Sequence, residues 1–388
     1  MRTLRVLATL AVPALAVGLS ACQAKDNTDA GTGGDQNIQV VSTDDDCKVS
    51  SDGAPSGNLQ FSVKNEGNEV TEFYFYGADG KRIVGEVENI GPGLSRDLVV
   101  RAAPGDYVTA CRPGMSGDGI RADFSVSDSG EDVSIQGVDQ QDIDAATDQY
   151  AEYVEDQASQ LVDKTQAFTA AYVAGDDTEA RRLYPLARSH WEGIETVAES
   201  FGDLDPKTDL READLEPGQK WTGWHRLEKD LWPPKGYTPL TPAERKAYAA
   251  DLMKNIRTLD DRVEDLSYTV DQISNGSKGL LDEVATGKIT GEEDIWSHTD
   301  LWDFQANVDG ARVAYETLKP LLEVKDPALS KEIAQRFSAL QDLLDQYRVG
   351  KDGFVSYDTV DEAQRKQLAT AVDALSEPLS KMTGALTL

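Results

Sequence analysis

Apolar residues recur at every second position from residue 37 to about residue 136. Leu59, Phe61 and Val63 fall on one side of a strand, with Gln60 and Ser62 on the other. Similar runs cover residues 38–42, 72–76, 82–87, 94–100, 105–111 and 120–126. Turn formers separate them: Asn65-Glu66-Gly67-Asn68, Ala78-Asp79-Gly80-Lys81 and Gly91-Pro92-Gly93. About seven short strands at roughly ten-residue spacing predict an all-β sandwich over residues 37–137.

After a break at 137–142 the period becomes 3.6. Tyr150, Tyr153, Val154, Leu161, Val162, Phe168 and Tyr172 keep to one helical stripe, which Gly175 ends. A second helix is predicted at 178–200 and a short one at 221–232, stopped by Pro233-Pro234. Thr241-Pro242-Ala243-Glu244 reads as an N-cap, a first-turn proline and a capping-box glutamate. Tyr248, Leu252, Ile256, Leu259, Val263, Leu266, Val270 and Ile273 then continue one seam to Asn275-Gly276. Helices are further predicted at 278–285, 294–318, 331–347 and 360–382, with a connection between Pro320 and Pro327. Long amphipathic helices with short loops imply an all-α bundle over residues 142–388, as two four-helix units in series.

The charge balance narrows the function. There are 38 basic and 69 acidic residues in 388, a net charge of −31. No basic face is left to follow a phosphate backbone, so nucleic acid is excluded as a partner. An acidic surface suits cations and otherwise confers solubility. The N-terminus reads as a targeting signal: Arg2 and Arg5 precede a short apolar run, 7–19, that ends Leu19-Ser20-Ala21-Cys22. Small residues before a cysteine fit a lipoprotein signal over residues 1–21, with Cys22 lipidated and the protein held on the outer face of the cell membrane. Residues 22–36 are polar and read as a flexible tether. Cys47 and Cys111 remain, in an oxidising compartment where a disulfide is the default.

Only three histidines occur in the chain. One of them, His225, lies in the stretch 221–232 with Glu228 three residues on, so the two share a helix face. Trp221, Trp224, Leu227, Leu231 and Trp232 surround that pair. An imidazole and a carboxylate inside an apolar collar are either a buried, satisfied pair or half of a metal site.

The chain resembles EfeO-type iron-uptake proteins. In the sheet region the matching residues are Asp45-Asp46-Cys47, Glu86 through Gly93, and Pro104-Gly105-Asp106-Tyr107 with Cys111. In the helical region Gly223-Trp224-His225-Arg226-Leu227-Glu228 fits the Gly-x-His-x-x-Glu motif of imelysin-like proteins. The segments 191–195, 198–205 and 298–307 also match. The resemblance implies a cupredoxin-like sandwich followed by an imelysin-like bundle, together spanning nearly all of residues 37–388. It further implies an extracytoplasmic component that captures iron, as Fe2+ or Fe3+, and serves a membrane permease beside a haem peroxidase. By position it carries over His225 and Glu228 as metal ligands, with Glu192, Glu195 and Asp203 as partners and His298 and Asp300 as a further cluster. Carboxylates with one imidazole suit iron or manganese and accept zinc. The sheet region has no histidine, which excludes a type I copper centre. The resemblance offers instead Cys47, Glu72, Glu88 and Cys111 as a second site for copper or iron with a redox role, a ferroxidase activity included. The alternative to that set is a Cys47–Cys111 disulfide. Two rival functions remain. A metallopeptidase is disfavoured because no His-Glu-x-x-His is present. A binder of acidic polysaccharide would need a metal to bridge ligand and protein.

Overall fold

The computed structural model describes residues 36–78, 80, 83–115, 119–130, 137–215, 218–351 and 353–387. The expected signal peptide, the Cys22 lipidation site and all but the last residue of the expected tether lie outside the described residues.

Among the described residues the period-two region forms nine strands: β1 (Gln36–Ser42), β2 (Cys47–Val49), β3 (Gly53–Pro55), β4 (Gly57–Asn65), β5 (Thr71–Gly77), β6 (Ile83–Ile90), β7 (Ser95–Ala102), β8 (Gly105–Cys111) and β9 (Ile120–Ser127). They form two sheets, ordered β2-β1-β4-β7 and β3-β9-β8-β5-β6. β1 runs parallel to β4 and β3 parallel to β9, while the remaining described neighbours are antiparallel. Alternation along the strands sends Phe61, Phe73, Phe75 and Phe124 into one core. Their ring centroids lie 5.1 to 5.7 Å apart. The same alternation turns Glu72, Tyr74 and Tyr76 of β5 to the opposite face.

Cys47 and Cys111 are joined in a disulfide with their Cα atoms 5.6 Å apart. It ties β2 of one sheet to β8 of the other. This corrects the expectation of a second metal site at Cys47, Glu72, Glu88 and Cys111. A disulfide leaves no thiolate to bind a metal. The four side chains also point to different sides of the sheet. Cys111 pairs with Phe73 and faces the core, whereas Glu72 is one residue out of phase, 3.2 Å from Arg112 Nη1 and accepting a 2.9 Å bond from Tyr74 OH. Glu88 follows the core residue Val87 and is likewise turned outward. A thiol assay on the folded protein is therefore expected to find neither Cys47 nor Cys111 reactive before reduction and both after. Cys47→Ser should lower stability by about 2–4 kcal/mol, read as an earlier thermal transition.

The helical part contains α1 (Gln140–Ala174), α2 (Asp177–Glu192), α3 (Asp205–Thr208), α4 (Trp224–Leu231), α5 (Pro242–Val263), α6 (Val270–Thr286), α7 (Asp300–Lys325), α8 (Pro327–Leu344), α9 (Glu362–Leu379) and α10 (Met382–Thr387). The sandwich-then-bundle architecture is the one the change of period predicts. The bundle is less divided than two units in series. α7 packs against α1, α2, α6 and α8, within one continuous core.

Several helix boundaries differ from the sequence reading, three of them where a close contact or a cap intervenes. The second helix stops at Glu192 rather than 200, because α7 presses its Gly310 against Gly193; a Cβ on Gly310 would lie 2.3 Å from Gly193 O. The seam at 248–273 breaks after Val263 and restarts at a capping box between Thr269 and Gln272. Gly276 then sits inside α6 instead of ending a helix, since a Cβ there would be 1.9 Å from Thr196 O. Pro320 also lies within α7, which runs on to Lys325.

The sandwich rests on the bundle through α6. Arg96 Nη1 is 2.7 Å from Asp282 Oδ2. Asn275 Nδ2 donates to Val99 O at 3.0 Å, and Arg101 N donates to Asp271 Oδ2 at 3.2 Å.

Candidate metal centre

The glycine of the Gly-x-His-x-x-Glu motif has a steric task. Gly223 begins α4 with φ 88° and ψ −164°, and a Cβ on it would meet Thr208 O at 2.1 Å. Only glycine fits that backbone and that approach. The close contact sets the start of α4 against the residue before Asp209. Six of the eight residues of α4 are buried, leaving Arg226 and Lys229 outermost. Trp224 packs on Phe168 and Tyr184, with centroids 5.5 and 6.0 Å away. Asp230 fixes the far end of the helix, accepting from Tyr172 OH at 2.9 Å, Arg245 Nε at 2.7 Å and Leu240 N at 2.8 Å.

The pair His225 and Glu228 is thereby driven inward, exposed by 1% and 0%. Nδ1 of His225 lies 3.1 Å from Glu228 Oε2 and 3.8 Å from Asp294 Oδ1. Nε2 lies 3.3 Å from Glu293 Oε1 and 3.4 Å from Asp209 Oδ1. The backbone N–H groups of Trp296 and Ser297 donate to Glu228 Oε1 at 3.0 and 2.8 Å, which orients its carboxylate. Three sets of side chains bring one donor atom each within 4.8 Å of one another: Asp209, His225 and Glu293; His225, Glu228 and Asp294; Glu192, Glu195 and Asp209.

Two permanent cations hold this cluster together. Arg188 is fully buried on α2 and pairs with Glu192, Asp209, Glu293 at 3.0 Å and Asp303 at 3.3 Å. Lys288 lies 2.8 Å from Glu192 Oε2 and 2.6 Å from Glu195 Oε2, and Asn307 Nδ2 donates to the same two carboxylates. With Asp294 and Asp300, eight carboxylates gather about Arg188, Lys288 and His225. Burial acts to raise Asp209, but Arg188 and His225 outweigh it and hold the carboxyl down at about 2. Burial and then the Asp294 carboxylate push Asp300 up to about 8. Burial and the same neighbour raise Glu228. Burial and Arg188 act to lower His225, and its bonds to Asp209, Glu228 and Glu293 outweigh both and raise it.

The donor set fits a cation. It is a cluster of hard oxygens with one imidazole and a surplus of negative charge. Two of its carboxyl oxygens, Asp300 Oδ2 and Asp303 Oδ1, are buried without a hydrogen-bond partner among the described residues. Such oxygens are costly unless something positive approaches them.

Of the residues singled out in the sequence, His225 and Glu228 stand at the middle of this arrangement. Glu192 and Glu195 form the adjoining set with Lys288, and Asp300 is buried beside Asp294, whose N–H donates to it at 3.2 Å. Asp203 is not in the cluster: its side chain is 61% exposed and is held by Lys207 and Arg262. His298 belongs to none of the converging sets; with φ 56° it serves a turn through its backbone, bonded to Asp294 and Tyr357. The last histidine, His190, faces Gln157 with its Nδ1 2.8 Å from Oε1. The paired histidines of a zinc peptidase are thus not assembled here. Asp209, Glu293, Asp294, Arg188 and Lys288 were not foreseen as site residues. Asp209 lay in a loop that reads as merely acidic. Glu293 precedes, and Asp294 opens, the segment 294–318 that reads as continuous helix, but residues 294–299 form the turn that caps Glu228. Arg188 had one signal, its spacing of four from Tyr184 and from Glu192 on the buried stripe.

The sequence profile of the imelysin family matches residues 146–382, and that of the cupredoxin-like domain matches residues 10–126. The proteins named iron uptake system component EfeO from Escherichia coli K12, Shigella flexneri and Shigella sonnei are each 35% identical to this chain over 354 residues, 90% of it and 91% of theirs. A crystal structure of a protein described as an iron-regulated protein A precursor from Parabacteroides distasonis superposes with a TM-score of 0.53 at 15% identity. It covers 66% of this chain and 98% of that one, a likeness of fold. Two domains in the same order, and identity sustained across nine-tenths of the chain, place it: the chain belongs to the EfeO family of iron uptake system components, with a cupredoxin-like domain ahead of an imelysin domain.

Proposed function

We propose that the chain is an extracytoplasmic iron-binding protein, lipid-anchored through Cys22, that captures iron at the His225 centre and passes it to a membrane permease. The observation that carries the reading is the buried set of His225, Glu228, Asp209, Glu293 and Asp294, too acidic to be neutralised by Arg188 and Lys288 alone. The names of the 35% identical relatives supply the metal and the task. A haem peroxidase acting in the same system is part of this proposal. So is the choice of iron over zinc, which the same donors accept. The sheet domain has no redox centre in this reading, because its two cysteines are bonded to each other.

The test is uptake of radioactive iron in a bacterial strain deleted for its own copy of this protein. The wild-type chain is expected to restore uptake. His225→Ala/Glu228→Ala, secreted to the same level, is expected to leave it at the level of the deletion. Wild-type uptake by the double variant would overturn the assignment.

A further inference from the structure

A cavity of about 990 Å³ separates the sandwich from the bundle. One wall is the outward face of β5 and β6, carrying Glu72, Glu86 and Glu88. This is the face that strand alternation turns away from Phe73, Phe75 and Val87. The facing wall includes Glu195, Asp209 and Glu293, which also belong to the ligand sets of the metal centre. His225, Glu228 and Asp294 do not line the cavity and lie behind those three. The centre therefore opens into the cavity along one edge.

The charge of the cavity has a clear sign. Its described lining holds eleven carboxyl groups and four arginines, a formal surplus of seven negative charges. At roughly 30 Å³ per molecule the space holds about thirty waters, enough for a cation to travel with its hydration shell. A cleft of one sign with protein walls focuses its field and raises the local concentration of counter-ions. The same field repels an anionic chelate.

We propose that this cleft is the path by which a hydrated divalent cation reaches the centre, and that Glu86 and Glu88 of the sheet domain steer it. The inference rests on the metal-binding reading above and deepens it: the sheet domain contributes the second acidic wall of the path rather than a redox metal.

The experiment follows the tryptophan fluorescence of the full chain in an anaerobic stopped-flow mixer with Fe(II) as the probe, at low and at high salt. Trp224 lies on α4 beside His225, and the backbone of Trp296 bonds Glu228. Glu86→Gln/Glu88→Gln is expected to lower the association rate about three- to tenfold at low salt, leaving the dissociation rate as in wild type. Each single substitution should give part of that effect, which keeps the test open if the double variant misfolds. Near 0.2 M salt the difference should collapse. Glu316→Gln/Glu323→Gln removes the same charge on α7, on the order of 20–30 Å along the helix from Asp303, and should leave the rate unchanged. Association of the Glu86/Glu88 variants at the wild-type rate in low salt would overturn the proposal. So would an equal loss in the Glu316/Glu323 control, or a change confined to dissociation. Absence of binding by the wild-type protein would instead refute the metal-centre reading itself.

Discussion

Arg188→Met is expected to produce the largest loss of stability of any single substitution at the centre. The guanidinium is fully buried and is the shared partner of Glu192, Asp209, Glu293 and Asp303. Removing one member of a buried ion network leaves the others uncompensated and costs about 3–5 kcal/mol. The thermal transition of the helical domain should fall accordingly. A divalent cation would supply part of the lost charge. A saturating metal such as Co(II) is therefore expected to raise the transition of Arg188→Met by more than it raises that of the wild type. The general scale of such stabilisation is about 2.7 kcal/mol at a hundredfold excess over Kd. A variant as stable as wild type, or one that metal stabilises no more than wild type, would show that Arg188 is not the internal counter-ion of the cluster.

Gly223→Ala should damage fold and binding together. The backbone at φ 88° and ψ −164° is a region that side-chain-bearing residues avoid at a cost of about 1–3 kcal/mol. The added Cβ would also sit 2.1 Å from Thr208 O, and backbone cannot move aside as a flexible side chain can. Relief requires α4 to part from the Thr208 segment, which separates His225 from Asp209. The expected result is destabilisation of about 2–4 kcal/mol and a weakening of metal binding by at least tenfold. Gly279→Ala is the control. It lies in α6 with nothing within 4 Å of the new methyl group and should stabilise by about 0.5–1 kcal/mol. Equal behaviour of the two variants would mean that the glycine of the motif is not there for its geometry.

These two residues mark how far the sequence could be read. The fold class follows from periodicity: Phe61, Phe73 and Phe75 alternate into a sheet core, and Leu252, Ile256 and Leu259 recur at helical spacing into the bundle core. Boundaries were lost where backbone meets backbone. Gly276 reads as the end of a helix, yet it and Gly310 are close-packing positions against Thr196 and Gly193. Such contacts leave no trace in hydrophobic pattern. In the site, His225 and Glu228 were readable because three residues of helix put them on one face. Asp209, Glu293 and Asp294 reach the centre from turns, where spacing carries no geometric information. The resemblance put Asp203 forward, but the five residues 204–208, 3-10 and α-helical turn, separate it from Asp209 and leave it on the rim. Lys288 looks like an ordinary surface cation in an acidic protein, and Arg188 departs from one only in its spacing from Tyr184 and Glu192. Only the fold shows that each is enclosed by carboxylates.

The same features explain why the helical domain tolerates so much buried charge. Cations within the chain satisfy most of the acidic groups, and the network is closed by backbone donors at Trp296 and Ser297 and by Asn307. What it leaves unsatisfied among the described residues, at Asp300 Oδ2, Asp303 Oδ1 and Asn307 Oδ1, lies beside the ligand sets. Local departures from full satisfaction are expected at functional sites.

The most direct measurement is anaerobic titration calorimetry of the full protein with Fe(II), comparing wild type with His225→Ala/Glu228→Ala. The account expects saturable binding by the wild type that the double substitution abolishes, with the circular dichroism of the two proteins alike. Binding of the same affinity and stoichiometry by the double variant would contradict it and move the iron site away from α4.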